Sequence, residues 1–167
     1  IKSYKLEVIK ALWPNKIVQV HIMSKYPSRW IEKVRPYADK IFFHYEINEN
    51  IKKILDKNKD LKHKFGLAVS VNTEFQKYKN YIKLFDNMLF LAIKEPGYSG
   101  QQFIEKSYSD INNINKITSN RKFELCVDGG VNYFNAKNIK SDEIVSGSFI
   151  LNSPKPSQTL LRMKFDT

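Results

Sequence analysis

The chain has 167 residues, 42% of them hydrophobic and 13% aromatic, which is enough apolar sequence to build the core of one domain over 1–167. This composition excludes a disordered chain, and no apolar run approaches the roughly 18 residues of a membrane-spanning helix. The single cysteine, Cys126, excludes an internal disulfide, and the charged first segment lacks the apolar region of a secretory signal, so we expect a soluble cytoplasmic protein.

The net charge of +11 raises the question of nucleic-acid binding. Lys supplies 24 of the 28 positive side chains, and the lysines are scattered among Asn and Ile. Nucleic-acid readout depends more on Arg, whose planar group binds phosphates and base edges with two hydrogen bonds. The scattered lysines therefore indicate a solvated surface, and we expect no nucleic acid and no membrane as partners. The nucleic-acid alternative predicts duplex binding that depends steeply on salt.

Short apolar runs alternate with longer amphipathic segments along the chain. Six strands are predicted, at 17–23, 40–46, 64–70, 87–93, 123–129 and 143–150. Helices are predicted at 2–13, from Ser28 to just before Pro36, at 49–62, 74–85, 104–118, 133–139 and 157–164, with Ser28 and Thr73 as N-caps. This alternation predicts an α/β protein with parallel strands, either a doubly wound open sheet or a (β/α)8 barrel.

In both architectures the functional groups collect at the carboxyl ends of the strands. Asp128 ends a predicted strand and precedes Gly129 and Gly130, whose backbone N–H groups can approach an anion closely. Gly147 and Ser148 offer a second set of donors after the next strand. The two segments together indicate a phosphate site, although each by itself could be no more than a tight turn.

Histidine and carboxylate side chains accompany these turns. We expect His21 and Asp128 to face a common cavity, where imidazole and carboxylate could bind zinc or iron and the carboxylate could move protons. His44 and Glu46 alternate along one strand and share a face, so they either support the site or hydrogen-bond to each other. The glycine-bearing loop 96–101 is long enough to cover a ligand and exclude water.

The strand ends, taken in order, resemble those of the ribulose-phosphate 3-epimerase family. Five motifs over about residues 5–152 carry the resemblance: H-I-M at 21–23, F-H-Y-E at 43–46, P-G-Y-S-G-Q at 96–101, V-D-G-G at 127–130 and S-G-S at 146–148. The resemblance implies a TIM barrel of the ribulose-phosphate-binding type, of which this chain supplies about six β/α units. It also implies an isomerase of the pentose phosphate pathway, which interconverts ribulose 5-phosphate and xylulose 5-phosphate through an enediolate.

Carried over position by position, the resemblance implies roles for individual residues. His21 and Asp128 would be ligands of a divalent metal ion, zinc or iron in the first place and manganese or cobalt otherwise, and Asp128 would also transfer the C3 proton. The substrate and phosphate contacts would come from His21, Met23, Gly97, Tyr98, Ser99, Gly100, Gly129, Gly130, Gly147 and Ser148.

The chain departs from the family pattern in several places. The family's first two strands, which carry a histidine and a second catalytic aspartate, have no counterpart here, so we expect the full-length protein to be active and this chain alone to be inactive and poorly soluble. Ser70, Ala92 and Ser99 replace the family's Asn, Met and Gly. A non-catalytic sugar-phosphate-binding barrel and a hexulose-phosphate 3-epimerase stay open as alternatives, as does assembly into a homo-oligomer.

Overall fold

Strands and helices alternate along the chain, as the spacing of the apolar runs predicts. The computed structural model describes residues 3–165 and divides into two units, one ending at Ala68 and the other beginning at Val69. The predicted helix at 2–13 is found, except that its first residue lies outside the described residues.

The first unit is built on parallel strands. Its elements are α1 (Ser3–Leu12), β1 (Gln19–Ile22), α2 (Ser28–Val34), β2 (Lys40–His44), α3 (Ile51–Lys57), a 3-10 helix (Lys59–Lys64) and most of β3 (Phe65–Ser70). Strand β2 pairs in parallel with β1 on one side and with β3 on the other. The rings of Phe43 and Phe65 meet edge to face, with their centroids 5.4 Å apart, in the buried centre of this unit.

The second unit repeats the arrangement. Its elements are α4 (Phe75–Ile82), β4 (Asn87–Leu91), α5 (Lys106–Thr118), β5 (Glu124–Asp128), α6 (Tyr133–Ala136), β6 (Glu143–Val145), α7 (Ser148–Leu151) and α8 (Pro156–Phe165). Strand β5 pairs in parallel with β4 and with β6. Tyr78 and Ile82 of α4, with Ile111 and Ile114 of α5, form the buried faces of the helices around these strands.

The fold class predicted from the sequence is confirmed. Within each unit, strands that are consecutive in the chain are neighbours in the sheet and run parallel. A doubly wound sheet reverses its strand order part-way, whereas the (β/α)8 barrel keeps its strands in sequence. The residues from 3 to 165 thus supply six β/α units of the barrel type. None of their helices is both long and apolar enough to cross a lipid bilayer.

The last predicted strand was too long. Strand β6 ends at Val145, and residues 148–150, which were assigned to the strand, belong to helix α7. The chain turns at Gly147, whose carbonyl accepts hydrogen bonds from the backbone N–H groups of Ile150 (3.1 Å) and Leu151 (2.9 Å). The apolar side chains Phe149 and Ile150 suit either element, so the pattern alone did not separate strand from helix.

Both predicted N-caps were wrong. Helix α2 begins after Pro27, and the backbone N–H of Ser28 donates to the Glu49 carboxylate (3.0 Å), as does the Ser28 hydroxyl. Helix α4 begins after Glu74 rather than after Thr73. In each case the capping residue type lies within one position of the true cap, which is the usual uncertainty of a helix boundary.

Three helices end three or more residues earlier than predicted, and one apolar side chain of α5 is exposed. Helix α3 ends at Lys57, where the Asn58 side-chain amide donates to the Ile54 carbonyl (2.8 Å) and the chain tightens into the 3-10 helix. Helix α4 ends at Ile82 rather than at 85, and helix α6 ends at Ala136 rather than at 139. In α5, Ile111 and Ile114 are buried but Ile117 is 49% exposed, because the buried stripe continues through Thr118 instead.

Arg121 closes the carboxyl end of α4. Its guanidinium donates to the carbonyls of Phe85 (2.7 Å) and Ile82 (2.8 Å) and lies 4.5 Å from the centre of the Phe123 ring. We expect Arg121→Met to lower the free energy of unfolding by about 1–3 kcal/mol, because two carbonyls lose a charged donor. Urea denaturation measures the difference. Lys122→Met is the matched control at an exposed neighbour, and equal losses in the two variants would contradict the prediction.

Candidate active site

Two histidines and a glutamate form a continuous chain of contacts in the first unit. His21 Nε2 lies 2.8 Å from His44 Nε2, and His44 Nδ1 lies 2.9 Å from Glu46 Oε2. The two imidazole rings meet end to end, with centroids 4.9 Å apart and planes 24° from parallel. We refer to His21, His44 and Glu46 as the imidazole–carboxylate chain.

Parallel pairing explains why these three side chains meet. His21 is paired with Phe42 across β1 and β2, and His44 follows two residues later on the same face of β2. Glu46 is one further step of two residues along. Of the two alternatives for His44 and Glu46, the structure shows the hydrogen bond between them, and it also shows a contact of His44 with His21 that was not predicted. The signal was incomplete: both histidines lie at or next to the ends of strands that are consecutive in the chain, but the register that brings them together is not evident from either strand.

Burial sets the protonation state of His21. Removal from water, together with the smaller effect of the nearby His44, lowers the pKa of its imidazole from 6.5 to about 4. His21 is therefore neutral at physiological pH, which is the form that binds metal ions. It also borders a cavity of about 300 Å³ along β1 together with Met23, whose side chain is 59% exposed.

Asp128 ends β5 in the second unit. Its backbone is held between neighbouring strands, because it pairs with Leu91 of β4 and Val145 of β6. The side chain is partly buried, and desolvation raises the pKa of this carboxyl, while the hydrogen bond from the Gly129 backbone opposes the rise. A carboxyl whose pKa lies above its usual range is suited to accept and return a proton.

The two residues after Asp128 must be glycine. Gly129 has φ +106° and Gly130 has φ +67°, in the region that side-chain-bearing residues rarely adopt. A Cβ atom on Gly129 would lie 2.7 Å from Ile93 Cγ2, and one on Gly130 would lie 2.2 Å from the backbone nitrogen of Phe103. The turn therefore brings the backbone of β5's end directly against the chain that follows β4.

Two asparagines that the sequence analysis did not consider fix the turn in place. Asn132 Oδ1 accepts from the backbone N–H of Phe134 (2.9 Å), and Asn135 Oδ1 accepts in return from the N–H of Asn132 (2.8 Å). Asn135 Nδ2 also donates to the Gly130 carbonyl (3.0 Å). This reciprocal capping box begins α6. Its signal was the spacing of two amide side chains three residues apart after a Gly-Gly pair.

A cavity of about 520 Å³ lies beside this turn in the second unit. Three of the residues predicted to contact phosphate border it, namely Gly100, Gly130 and Ser148. Its other walls are polar and aromatic, and include Gln102, Phe103, Tyr108, Asn132, Asn135, Phe149 and Asn152. The remaining predicted contacts of this unit do not border the cavity; these are Gly97, Tyr98, Ser99, Gly129 and Gly147.

A single glutamine shapes the loop 96–101. Gln101 Nε2 donates to the carbonyls of Glu95 (2.7 Å) and Tyr98 (2.8 Å), and its Oε1 accepts from the N–H of Glu95 (3.0 Å). The loop is thereby folded back on itself, with Tyr98 71% exposed. Gln101 is the last residue of the motif P-G-Y-S-G-Q, but the sequence does not indicate this role of its side chain.

Comparison with known proteins places the chain in a family. Residues 2–151 match the model of the ribulose-phosphate 3 epimerase family. The chain belongs to this family. Its similar relatives include the ribulose-phosphate 3-epimerases of Chlamydia muridarum, with 31% identity over 79% of this chain and 61% of the relative, and of Mycobacterium leprae, with 27% identity over 86% and 66%. The enzyme of the same name from Aquifex aeolicus is 28% identical over 81% of this chain and 64% of the relative. The chain thus spans less than two thirds of the length of these relatives.

The metal expected in this family can be tested against the donors present. Imidazole and carboxylate are suitable ligands for zinc and iron, so His21 and Asp128 fit as donors. Within residues 3–165, however, no three His, Cys, Asp or Glu side chains are grouped to hold a metal ion. A catalytic zinc site normally has three protein ligands. Each of the two side chains is thus chemically suited to be a metal ligand, and neither unit by itself groups three such ligands among its described residues.

Substitution of Gly130 tests the close approach at the turn. We expect Gly130→Ala to lower the free energy of unfolding by at least about 2 kcal/mol, because the Cβ meets backbone atoms and the residue keeps a positive φ. Gly147→Ala is the matched control, since nothing lies within 4 Å of its Cβ position and its φ is −92°. Thermal and urea unfolding measure both variants. Comparable stability of the two variants would refute the close approach.

The low pKa of His21 predicts a loss of stability in acid. Between pH 6.5 and about 4 the unfolded chain takes up a proton at His21 that the folded protein does not, so the free energy of unfolding falls as the pH drops through this range. With metal removed by chelator, we expect His21→Gln to lose less stability than wild type over this range, by up to about 3 kcal/mol. Urea midpoints measure the loss, with exposed His63→Gln as control. A His21→Gln profile parallel to that of wild type would contradict the prediction.

Proposed function

We propose that the protein containing this chain is an epimerase that inverts C3 of a ketose phosphate, interconverting ribulose 5-phosphate and xylulose 5-phosphate. Membership of the family supports the reaction class. The observation that carries the proposal is the partly buried carboxyl of Asp128, with its raised pKa, at the end of β5 directly before Gly129 and Gly130.

Asp128 would work on one face of the substrate. As a carboxylate it removes the proton from C3, and the electron pair left on carbon moves into the adjacent carbonyl to give an enediolate. Inversion requires that the proton return to the opposite face of C3, from a second acid. The family resemblance assigns that second role to another aspartate. Burial of Asp128 supports its part, because desolvation brings its pKa closer to the working pH of a general base.

The cavity of the second unit is our candidate for the phosphate group. Gly100, Gly130 and Ser148 border it, and glycine lets backbone N–H groups approach the phosphate oxygens without a side chain in the way. Asn132 and Asn135 are engaged in the capping box, so their part would be to hold this backbone in position. We propose that the other glycines of the family motifs, Gly97, Gly129 and Gly147, contact the remainder of the substrate.

We also propose that His21 and Asp128 are two of the ligands of a divalent metal ion, with zinc or iron favoured and manganese or cobalt as alternatives. Such an ion supplies electrostatic stabilisation of the negative charge that develops on the substrate oxygens. The neutral state of His21 supports its role as a ligand, since a protonated imidazole has no lone pair to donate. A cytoplasmic location and a place in pentose phosphate metabolism complete the proposal.

Asp128→Asn in the full-length protein tests the proton transfer. We expect kcat to fall by at least about 100-fold with a small change in KM, because the amide cannot act as a base. Exchange of the C3 proton with deuterated solvent, followed by NMR, should fall in parallel with turnover.

Asp56→Asn, at an exposed position of α3, is the matched control and should retain wild-type activity. A wild-type protein that binds ribulose 5-phosphate but does not convert it with zinc, iron or manganese would reject the epimerase. That result would favour a sugar-phosphate-binding barrel without catalysis. The replacement of the family's Asn, Met and Gly by Ser70, Ala92 and Ser99 is the sequence feature that supports this alternative.

A further inference from the structure

The F-H-Y-E motif has no part in the proposed reaction, although two of its side chains lead directly to His21. We propose that His44 and Glu46 are positioning residues, which hold the proton of His21 on Nε2 and so present its Nδ1 lone pair as the nitrogen that binds the metal ion. The metal part of this inference rests on the function proposed above. The positioning itself rests on the distances within the imidazole–carboxylate chain.

The direction of each hydrogen bond follows from the chemistry of the two ends. An ionised Glu46 can only accept, so at 2.9 Å the proton between it and His44 belongs to His44 Nδ1. A neutral His44 protonated on Nδ1 has a lone pair on Nε2. That lone pair lies 2.8 Å from His21 Nε2, which must therefore supply the N–H. The neutral His21 is left with its lone pair on Nδ1.

The opposite direction is incompatible with a metal-binding His21. If His44 carried protons on both nitrogens, its Nε2–H would donate to His21 Nε2, and the proton of neutral His21 would lie on Nδ1. Neither nitrogen of His21 would then have a lone pair to offer unless the contact at 2.8 Å were broken. An intact imidazole–carboxylate chain therefore allows one tautomer of His21 if this residue is to be a ligand. Metal-binding histidines commonly have their second ring nitrogen fixed by such a partner.

The surroundings hold the two positioning residues firmly. The His44 side chain is 13% exposed and that of Glu46 is 26% exposed. The backbone between them is fixed, because the Tyr45 N–H donates to the Ala68 carbonyl (2.8 Å) and Lys25 Nζ donates to the Glu46 carbonyl (2.7 Å). The ring planes of His21 and His44 are 24° from parallel, so the contact between the two Nε2 atoms lies close to the plane of each ring, as a hydrogen bond to a ring nitrogen requires. The contacts to His21 thus come from an anchored strand end rather than from a flexible loop.

The test reads the tautomer first and metal affinity second, on metal-free full-length protein labelled with ¹⁵N-histidine. Long-range ¹H–¹⁵N spectra at neutral pH should show His21 protonated on Nε2 in wild type, with the signal assigned by its loss in His21→Gln. In Glu46→Gln the amide can donate or accept, so we expect a mixture of the two His21 tautomers. Titration with zinc alone should show an affinity about 10 to 100-fold weaker than in wild type.

The controls separate positioning from folding and from catalysis. Glu49→Gln makes the same chemical change three residues away, at a carboxylate that binds the backbone of Ser28, and should alter neither readout. If Glu46→Gln does not fold, His44→Phe keeps an aromatic ring on His21 but removes the acceptor, and the same tautomer mixture is expected. His21 protonated on Nδ1 in wild type, or unchanged tautomer and zinc affinity in Glu46→Gln, would overturn the inference. Failure of the wild-type protein to convert ribulose 5-phosphate would overturn the proposed function and leave the tautomer result standing.

Discussion

Parallel pairing of consecutive strands is the constraint on which both units depend. Because neighbouring strands run in the same direction, their carboxyl ends lie at one edge of the sheet in each unit, and so do the residues that follow them. In the first unit this brings the end of β1 to the end of β2, so that His21 contacts His44. In the second unit it places Asp128 between Leu91 and Val145. In each unit the pairing of the backbone thus determines which residue positions lie next to each other at the strand ends.

Burial shifts the pKa values of Asp128 and His21 in opposite directions, and in both cases it favours the neutral form. Desolvation penalises charge, so it raises the pKa of the Asp128 carboxyl and lowers that of the His21 imidazole. In both cases the neutral form gains. For the imidazole, the neutral form retains the lone pair that a metal ion requires. For the carboxyl, the raised pKa makes the carboxylate a stronger base towards a C–H group. A single physical cause therefore prepares two groups for different chemical tasks.

The sequence was sufficient for the order and direction of the elements, because apolar runs of strand length and stripes of helix period are local properties. It was insufficient where two elements share a composition. Phe149 and Ile150 follow β6 as apolar residues, and only the turn at Gly147 makes them helical. For the candidate site, Asp128 and its glycines could be predicted because their signal is contiguous. The contact of His21 with His44 could not be read from either strand alone, since it depends on register, which the sequence of one strand does not determine.

The two glycines after Asp128 show how a packing requirement and a chemical one coincide. Gly130 must lack a side chain because the backbone at Phe103 lies where its Cβ would be, and this holds whether or not a ligand is present. The same close approach draws the chain after β4 and the turn after β5 around one cavity. The packing requires only a tight turn with a positive φ and no side chain at this position. The Gly129–Gly130 turn differs in having the Asp128 carboxyl at its start. Partial burial of this carboxyl costs free energy, and the packing of the turn does not require it. The hydrogen bond from the Gly129 backbone only partly offsets this desolvation, and a carboxyl whose pKa stays raised in this way is typical of a group that transfers protons.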